Sequence, residues 1–508
     1  MNLIRLVDMN AAKFAKKECL RYNGVGLTFE ELKEKAESVA GLLQGLGVKK
    51  GDKIAVMSRN NPSFVIVFYG IVKAGGVVVP VNHKLMAPEV EYVIRHSETK
   101  LLFFDGSLAQ VLSNVDVPIR KISIDTHPDG FEYLAQLLEK AGTFVPIEVS
   151  DDDLAELLYT SGTTGKPKGC MHSHRSVIMA GITGALAVKI DEHDRLLMAM
   201  PIWHSSPLNN WFIGIQYVGG MTVLIPEYHP LHFLMAVQDE KCTIFFGAPI
   251  SYILPIQTIP QFDDFDLTSM RCWIYGGGPI GQDTARMVMT RYKAKNFYQV
   301  YGMTEAGPTG TVLFPHEQIN KAGSIGAKAL PGAEFKLIKM DGNPASPGEV
   351  GEIWLQADSM MKSYFKEDAA TSDAFSGGWY KTGDMARMDE DGYLFIVDRI
   401  KDMIVTGGEN VYSKEVEDVL ASHPSVMEAA VIGVSHPDWG ETVTAFVVPV
   451  KDTKLDADSL NVFLADKIAK YKIPRIFNIV ESLPHTPSGK LMKYELRARH
   501  KNFEKKFS

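Results

Sequence analysis

The chain has 508 residues, 45% of them hydrophobic and 22% charged. This is the balance of a globular protein with room for one large α/β domain and a smaller companion, and it excludes a disordered chain, a fibre and a coiled coil. Lys and Arg number 53 against 61 Asp and Glu, a net charge of −8, so the general basic field that holds nucleic acid is missing and no nucleic-acid partner is expected.

In chain order, the first twenty residues lack a continuous apolar core and an A-x-A site, so no signal peptide is expected. Thr28-Phe29-Glu30-Glu31 reads as a capping box opening a helix to about Leu46, stopped by Gly47 and Gly51. Residues 53–57 read as a strand, 61–74 as a helix, 77–81 as a β-branched strand, 86–95 as a helix and 101–104 as a strand. The most apolar stretch, 64–81, is broken by Gly70, Lys73, Gly75, Gly76 and Pro80. It falls short of the about 20 mostly apolar residues that a bilayer span needs. Strand segments continue at 196–200, 222–225, 244–246 and 273–275, and such alternation predicts parallel sheets covered by helices.

Past about residue 323 turns crowd in, at Pro331-Gly332, Asp341-Gly342, Pro347-Gly348, Gly377-Gly378 and Asp391-Gly392, with short strands between them. A third texture begins at Lys401. Ser413 reads as the cap of a helix through Leu420, strands follow at 429–434 and 443–448, and a helix is expected over 458–470. The expected fold is α/β. Residues 1–400 form a large domain of helix-covered β-sheets with a β-rich subdomain at about 323–400, and residues 401–508 form a small mobile α+β domain. The four cysteines, Cys19, Cys170, Cys242 and Cys272, make no CxxC pair, and the histidines make no HExxH, so neither a disulfide framework nor a transition-metal site is expected. A reducing, cytoplasmic location follows from that reading.

The strongest chemical signal is Tyr159 to Gly169, YTSGTTGKPKG, which packs five hydroxyl side chains and three glycines into one run. Glycines let backbone approach a ligand closely, and free amides with hydroxyls cradle phosphate oxygens. Lys166 and Lys168 add positive charge, while Pro167 breaks the Walker A pattern. Tyr301-Gly302-Met303-Thr304-Glu305 offers a ring to stack on a purine, a hydroxyl for a phosphate and a hard oxygen ligand for Mg²⁺. Tyr275-Gly276-Gly277-Gly278 exposes backbone after a strand, Asp384 in YKTGD can accept from two hydroxyls at once, and Asp398-Arg399-Ile400-Lys401 clusters charge at the domain boundary. Gly407-Gly408-Glu409 and Pro484 to Lys490 (PHTPSGK) complete the set.

These motifs, in this order and over essentially the whole chain, resemble the adenylate-forming (AMP-binding) superfamily, and within it fatty-acyl, carnitine-type and aryl-acid CoA ligases. The resemblance implies an ATP-dependent ligase that makes an acyl-adenylate and then an acyl-CoA, using ATP, Mg²⁺ and CoA. It places Thr160, Ser161, Gly162, Thr163, Thr164, Gly165, Lys166 and Lys168 on the nucleotide phosphates. Gly276, Gly277, Gly278, Tyr301, Gly302, Met303 and Thr304 are placed around AMP, with Asp384 and Arg399 on the ribose. Thr160 and Glu305 flank Mg²⁺, Lys401 is the hinge, and Gly407, Gly408 and Glu409 line the CoA tunnel. Lys490, with His204, Thr304 and Glu305, forms the catalytic set.

Trp203, His204, Trp211, Tyr275 and Gly276 are expected to border the acyl pocket, although tryptophans at such spacing serve core packing as readily. An apolar monocarboxylate is expected, a medium- or long-chain fatty acid before an aryl or carnitine-type acid. A carrier-charging adenylation enzyme ranks lower, because Pro201 to Trp211 (PIWHSSPLNNW) holds no acid for an amino-acid ammonium. No motif separates a luciferase-like oxygenase from a ligase. A non-catalytic acyl or ATP sensor is disfavoured by intact Lys490, Glu305 and Asp384. A homodimer is left open.

Overall fold

In the computed structural model, residues 1–160, 167–278, 280–406, 409–436, 439–451, 453–465, 467–485 and 491–498 are described. By contact density the chain divides into two units. The first is Met1–Lys336 with Trp354–Lys381, and the second is Leu337–Ile353 with Thr382–Ser508. Residues 382–400 and the 337–353 segment therefore group with the C-terminal residues.

The first unit holds two large sheets. One runs Glu132–Tyr133, Arg120–Ser123, Leu101–Phe104, Lys53–Met57, Val77–Val81, Leu154–Thr160, Lys168–Ser173. Every pair in it is parallel except the last, a hairpin. The other has six parallel strands at its centre, in the order Phe297–Met303, Cys272–Gly276, Ile244–Gly247, Arg195–Met198, Met221–Leu224, Glu18–Tyr22. Antiparallel strands Thr309–Leu313, Lys328–Ala329 and Val25–Thr28 close its two edges. Buried parallel strands read as unbroken apolar runs, which is why Val77–Val81 (VVVPV) is buried at every position.

Helices Phe29–Gly45, Pro62–Lys73 and His174–Val188 fill the space between the sheets. Their inward residues form one core with Ile54, Val56 and Val78 of one sheet and Leu196, Ile244 and Ile274 of the other. The expected capping box is present: Glu31 N–H donates to Thr28 Oγ1 at 3.3 Å and Thr28 N–H to the Glu31 carboxylate at 2.8 Å. The β-rich part is a five-stranded sheet of Ala333–Ile338, Val350–Ala357, Trp379–Met388 and Phe375–Ser376, with Leu394–Arg399 added on Trp379–Met388.

In the second unit, strands Ile404–Thr406, Glu409–Val411, Gly440–Pro449, Val426–His436 and Ile476–Ile479 form a sheet that packs helices Ser413–Ala421 and Ala457–Ala465 around Val416, Leu420, Val431, Leu460 and Leu464. Two expectations are corrected here. Ser413 is the first helical residue and not the cap; Tyr412 precedes the helix without a side-chain cap, and the Asp398 carboxylate takes the Ser413 N–H instead. The second helix stops at Ala465, and Lys470–Lys472 is a separate 3₁₀ turn. The apolar spacing behind the longer helix ends with Leu464, the last buried residue on that face.

Candidate active site

Ligands of open α/β sheets sit beyond the carboxyl ends of the strands. Arg195–Met198, Cys272–Gly276 and Phe297–Met303 run parallel in one sheet, so the segment holding His204, the glycine turn and the Thr304–Ala306 turn all leave from the same edge. In the other sheet, Leu154–Thr160 hands the chain to residues 161–166. The chain returns at Lys168, opposite Thr160 in the ladder. Ser161, Gly162, Thr163, Thr164, Gly165 and Lys166 lie outside the described residues. The hairpin that presents them is held by Tyr159, whose hydroxyl is 2.7 Å from His96 Nδ1, and by Tyr92 OH, which donates to the Pro167 carbonyl at 3.0 Å.

Glu305 occupies a short 3₁₀ turn, and its Oε1 accepts from Tyr364 OH at 2.9 Å. Tyr364 OH lies 3.2 Å from Tyr380 OH, and Lys168 Nζ stands 5.1 Å from the centre of the Tyr364 ring. Burial and the Glu305 charge push the Tyr364 phenol far above its usual range, so it stays a donor to the carboxylate. The buried Cys170 thiol is raised by desolvation and by the Glu305 charge, and the Thr160 side chain bonds it. The two residues expected around the metal therefore share one corner. Thr304 Oγ1 is 2.8 Å from Ser205 Oγ, which ties the turn carrying Glu305 to the residue after His204.

One carboxylate and one hydroxyl do not hold a metal alone. Among the described residues no group of three His, Cys, Asp or Glu is placed to do so. The set suits Mg²⁺ arriving on polyphosphate, because that ion takes one or two carboxylates and completes its shell with phosphate and water.

On the glycine side, a Cβ on Gly276 would lie 2.9 Å from Val300 O and 3.1 Å from Phe246 Cε2, so only glycine fits this approach. Gly277 follows at φ +83° and faces open space, and Gly278 continues the turn, where a Cβ would lie 4.0 Å from Pro249 Cγ. Tyr301 and Met303 are half-buried and Gly302 is exposed. His204 is exposed, with its ring 5.9 Å from that of Trp203. Trp203 Nε1 donates to His83 Nδ1 at 2.9 Å, and His83 Nε2 lies 2.7 Å from Glu227 Oε1, an arrangement that assigns the His83 proton to Nε2.

Trp211 is buried and stacked on Phe246 at 5.3 Å. Tyr275 is fully buried, its hydroxyl donating to Gln318 Oε1 at 3.0 Å and its ring against Phe297. The structure thus brings Trp211, Phe246 and Gly276 together, with Trp211 in the core and Phe246 packed against it, and turns the Tyr275 ring into a second core cluster on the far side of its strand.

In the second unit, Asp384 and Arg399 are opposite each other in the ladder, with Arg399 Nε 3.0 Å from Asp384 Oδ1. Thr382 Oγ1 accepts from Asp384 N–H at 3.0 Å and donates to the Ile353 carbonyl at 2.7 Å, which fixes the turn that carries the carboxylate. Behind Arg399, burial raises Asp398 and Glu417, and Lys493 offsets both. Lys401 and Glu409 are exposed, and the Lys401 carbonyl lies 3.5 Å from Arg497 Nη2. Gly407, Gly408 and Lys490 lie outside the described residues.

Parallel sheets whose strand ends gather the Glu305 carboxylate, the Thr304 hydroxyl and a glycine turn are the framework on which open α/β enzymes bind their ligands. The chain belongs to the AMP-binding enzyme family: that family's model matches residues 7–365, and the model of the AMP-binding enzyme C-terminal domain matches residues 415–490. It is 34% identical to a feruloyl-CoA synthase from an Amycolatopsis species, over 94% of this chain and 95% of that one. It is equally 34% identical to the long-chain-fatty-acid–CoA ligase FadD13 of Mycobacterium tuberculosis, over 94% and 93%. The solved O-succinylbenzoate coenzyme A synthetase of Bacillus subtilis, in complex with ATP and magnesium ion, superposes with a TM-score of 0.86 at 30% identity, covering 97% of this chain and 98% of that one. The protein is an AMP-forming acyl-CoA ligase that uses ATP with Mg²⁺ and takes CoA as a substrate. No helix among the described residues is long and apolar enough to cross a membrane.

Proposed function

We propose that the acid it activates is an apolar monocarboxylate, a medium- or long-chain fatty acid first and an aryl acid next. The observation that carries this is the Trp211–Phe246 stack against Gly276, which would form a pocket wall beside a segment, residues 201–212, whose only titratable side chain is His204. Such a wall offers nothing to pair an ammonium or a second carboxylate, and binding energy must come from apolar burial.

In the first step a carboxylate oxygen attacks the α-phosphorus and pyrophosphate leaves. In the second, the CoA thiol attacks the acyl carbonyl and AMP leaves. No protein nucleophile is needed, since AMP is already a good leaving group, so the side chains position groups and stabilise charge. Thr160, residues 161–166 and Lys168 hold phosphates, Glu305 takes the Mg²⁺ that neutralises them, and Asp384 with Arg399 holds the ribose. Lys490 serves the first step. Residues 401–508 then turn about Lys401 to bring Gly407, Gly408 and Glu409 to the CoA arm. Free buried cysteines and the use of ATP and CoA support a cytoplasmic enzyme.

Steady-state assays with acids from acetate to palmitate, benzoates and cinnamates test the substrate. The specificity constant should rise with chain length, each buried methylene contributing about 0.8 kcal/mol, or roughly fourfold, until the pocket ends. A clear preference for an amino acid or a dicarboxylate would overturn the reading.

A further inference from the structure

Two titratable side chains sit inside the hairpin that presents residues 161–166. Glu156 and His172 are opposite each other in the antiparallel ladder, which puts them on one face of the sheet, and each is 0% exposed. Glu156 Oε2 accepts from Asn209 Nδ2 at 2.9 Å. Among the described residues Glu156 Oε1 and Asn209 Oδ1 have no partner, and no cation acts on the Glu156 carboxyl. Two unpartnered oxygens at one buried carboxyl–amide contact are a costly arrangement if both are acceptors. One proton on Glu156 changes the count: it removes the buried charge and supplies the donor that Asn209 Oδ1 lacks.

The cluster also lies where three site segments meet. Asn209 belongs to the buried π-helical turn Ser206–Phe212, directly after His204 and Ser205. Ser205 bonds Thr304, and the His172 ring hydrogen-bonds the Thr304 backbone. The strand of Glu156 continues through Thr160 into the phosphate segment. We propose that Glu156 is a positioning residue that works as a neutral carboxylic acid, tying the turn after His204 to the phosphate-binding hairpin, so that adenylation fails when this carboxyl loses its proton. The proposal rests on the adenylation reading above.

Desolvation raises the Glu156 carboxyl to about 7, with the Asn209 bond partly opposing the rise. A group raised in the folded state stabilises it while protonated, and that contribution is lost as pH climbs through the folded value. The groups facing Glu156 from packed elements do not share this window. Burial keeps His172 and His174 neutral, each lowered to about 4, and holds the Cys170 thiol and the Tyr69 phenol protonated. Strand Val77–Val81, paired through Val78, and the Ser206–Phe212 turn bring no titratable group, and the charged groups on the remaining elements are Lys168, Glu305, Arg175, which pairs with Asp152, and Lys73, which pairs with Asp8 and Glu37.

The test is pyrophosphate exchange against pH for wild type, Glu156→Gln and Glu156→Ala, with infrared detection of the protonated carboxyl band. Wild-type exchange should fall about tenfold per pH unit once the carboxyl is past its midpoint. Glu156→Gln, which cannot ionise, should keep its neutral-pH rate and lose that alkaline limb. Glu156→Ala should be slow at every pH, so that Gln restores what Ala removes. The infrared band should be present in wild type at pH 6 and missing in Glu156→Gln. Superimposable pH profiles for wild type and Glu156→Gln overturn the positioning role, and no band at pH 6 overturns the neutral acid. Should wild type exchange pyrophosphate with no acid at all, the adenylation reading fails by itself. The band and the pH dependence of ATP affinity then decide this proposal.

Discussion

Replacing Lys490 by alanine is expected to cut adenylate formation by about 10²–10³-fold, the loss seen when one charge-stabilising donor is removed from a developing oxyanion. The ammonium is proposed to face the carboxylate and the α-phosphate, where negative charge builds as the phosphorus gains its fifth oxygen. Given preformed acyl-adenylate and CoA, the same variant should still make thioester. Lys401→Pro should do the opposite, because proline fixes φ and stiffens the proposed pivot. It should exchange pyrophosphate while thioester output falls. Each half-reaction assayed alone on both variants is the check, and equal damage to both steps in both proteins would remove the domain-alternation account.

Glu305→Gln should lower adenylation by about 10²-fold at limiting Mg²⁺, with part of the loss recovered as Mg²⁺ is raised. The glutamine carbonyl still accepts from Tyr364 OH, now 2.9 Å from Glu305 Oε1, so the turn keeps its shape and the loss reports charge. Titrating Mg²⁺ against pyrophosphate exchange checks this. Unchanged activity at the lowest Mg²⁺ would free Glu305 of its assigned role.

Much of this architecture was legible in the sequence because its signals are local. The Thr28–Glu31 capping box, the Val77–Val81 run and the glycines at 276–278 each show within a few residues, and each stands where expected. Ser413 misled because a serine before an apolar run is an ordinary cap, and the carboxylate that takes its N–H comes from Asp398, on another strand. What the sequence hides is side-chain pairing across the chain. Tyr364 finds Glu305 from 59 positions away, and Ser205 finds Thr304 from 99. Nothing in the sequence marks Glu156, in Leu154–Thr160, and only the packing of Asn209 on it shows that its face of the strand is closed. Tyr275 carries no mark in the sequence for which side of its strand meets the pocket. Only the bond to Gln318 reveals that it points into the core.

The most direct measurement follows the oxygen of the acid. Octanoate or cinnamate labelled with ¹⁸O in the carboxylate is incubated with the protein, ATP, Mg²⁺ and CoA, and the products are weighed by mass spectrometry. If the carboxylate attacks the α-phosphorus and the thiol then displaces AMP, one labelled oxygen must remain on the AMP phosphate and the other in the thioester carbonyl. Labelled AMP formed in step with acyl-CoA and unlabelled pyrophosphate is the predicted result. Label in inorganic phosphate with ADP as the nucleotide product would mean an acyl phosphate intermediate, and would contradict the account at its centre.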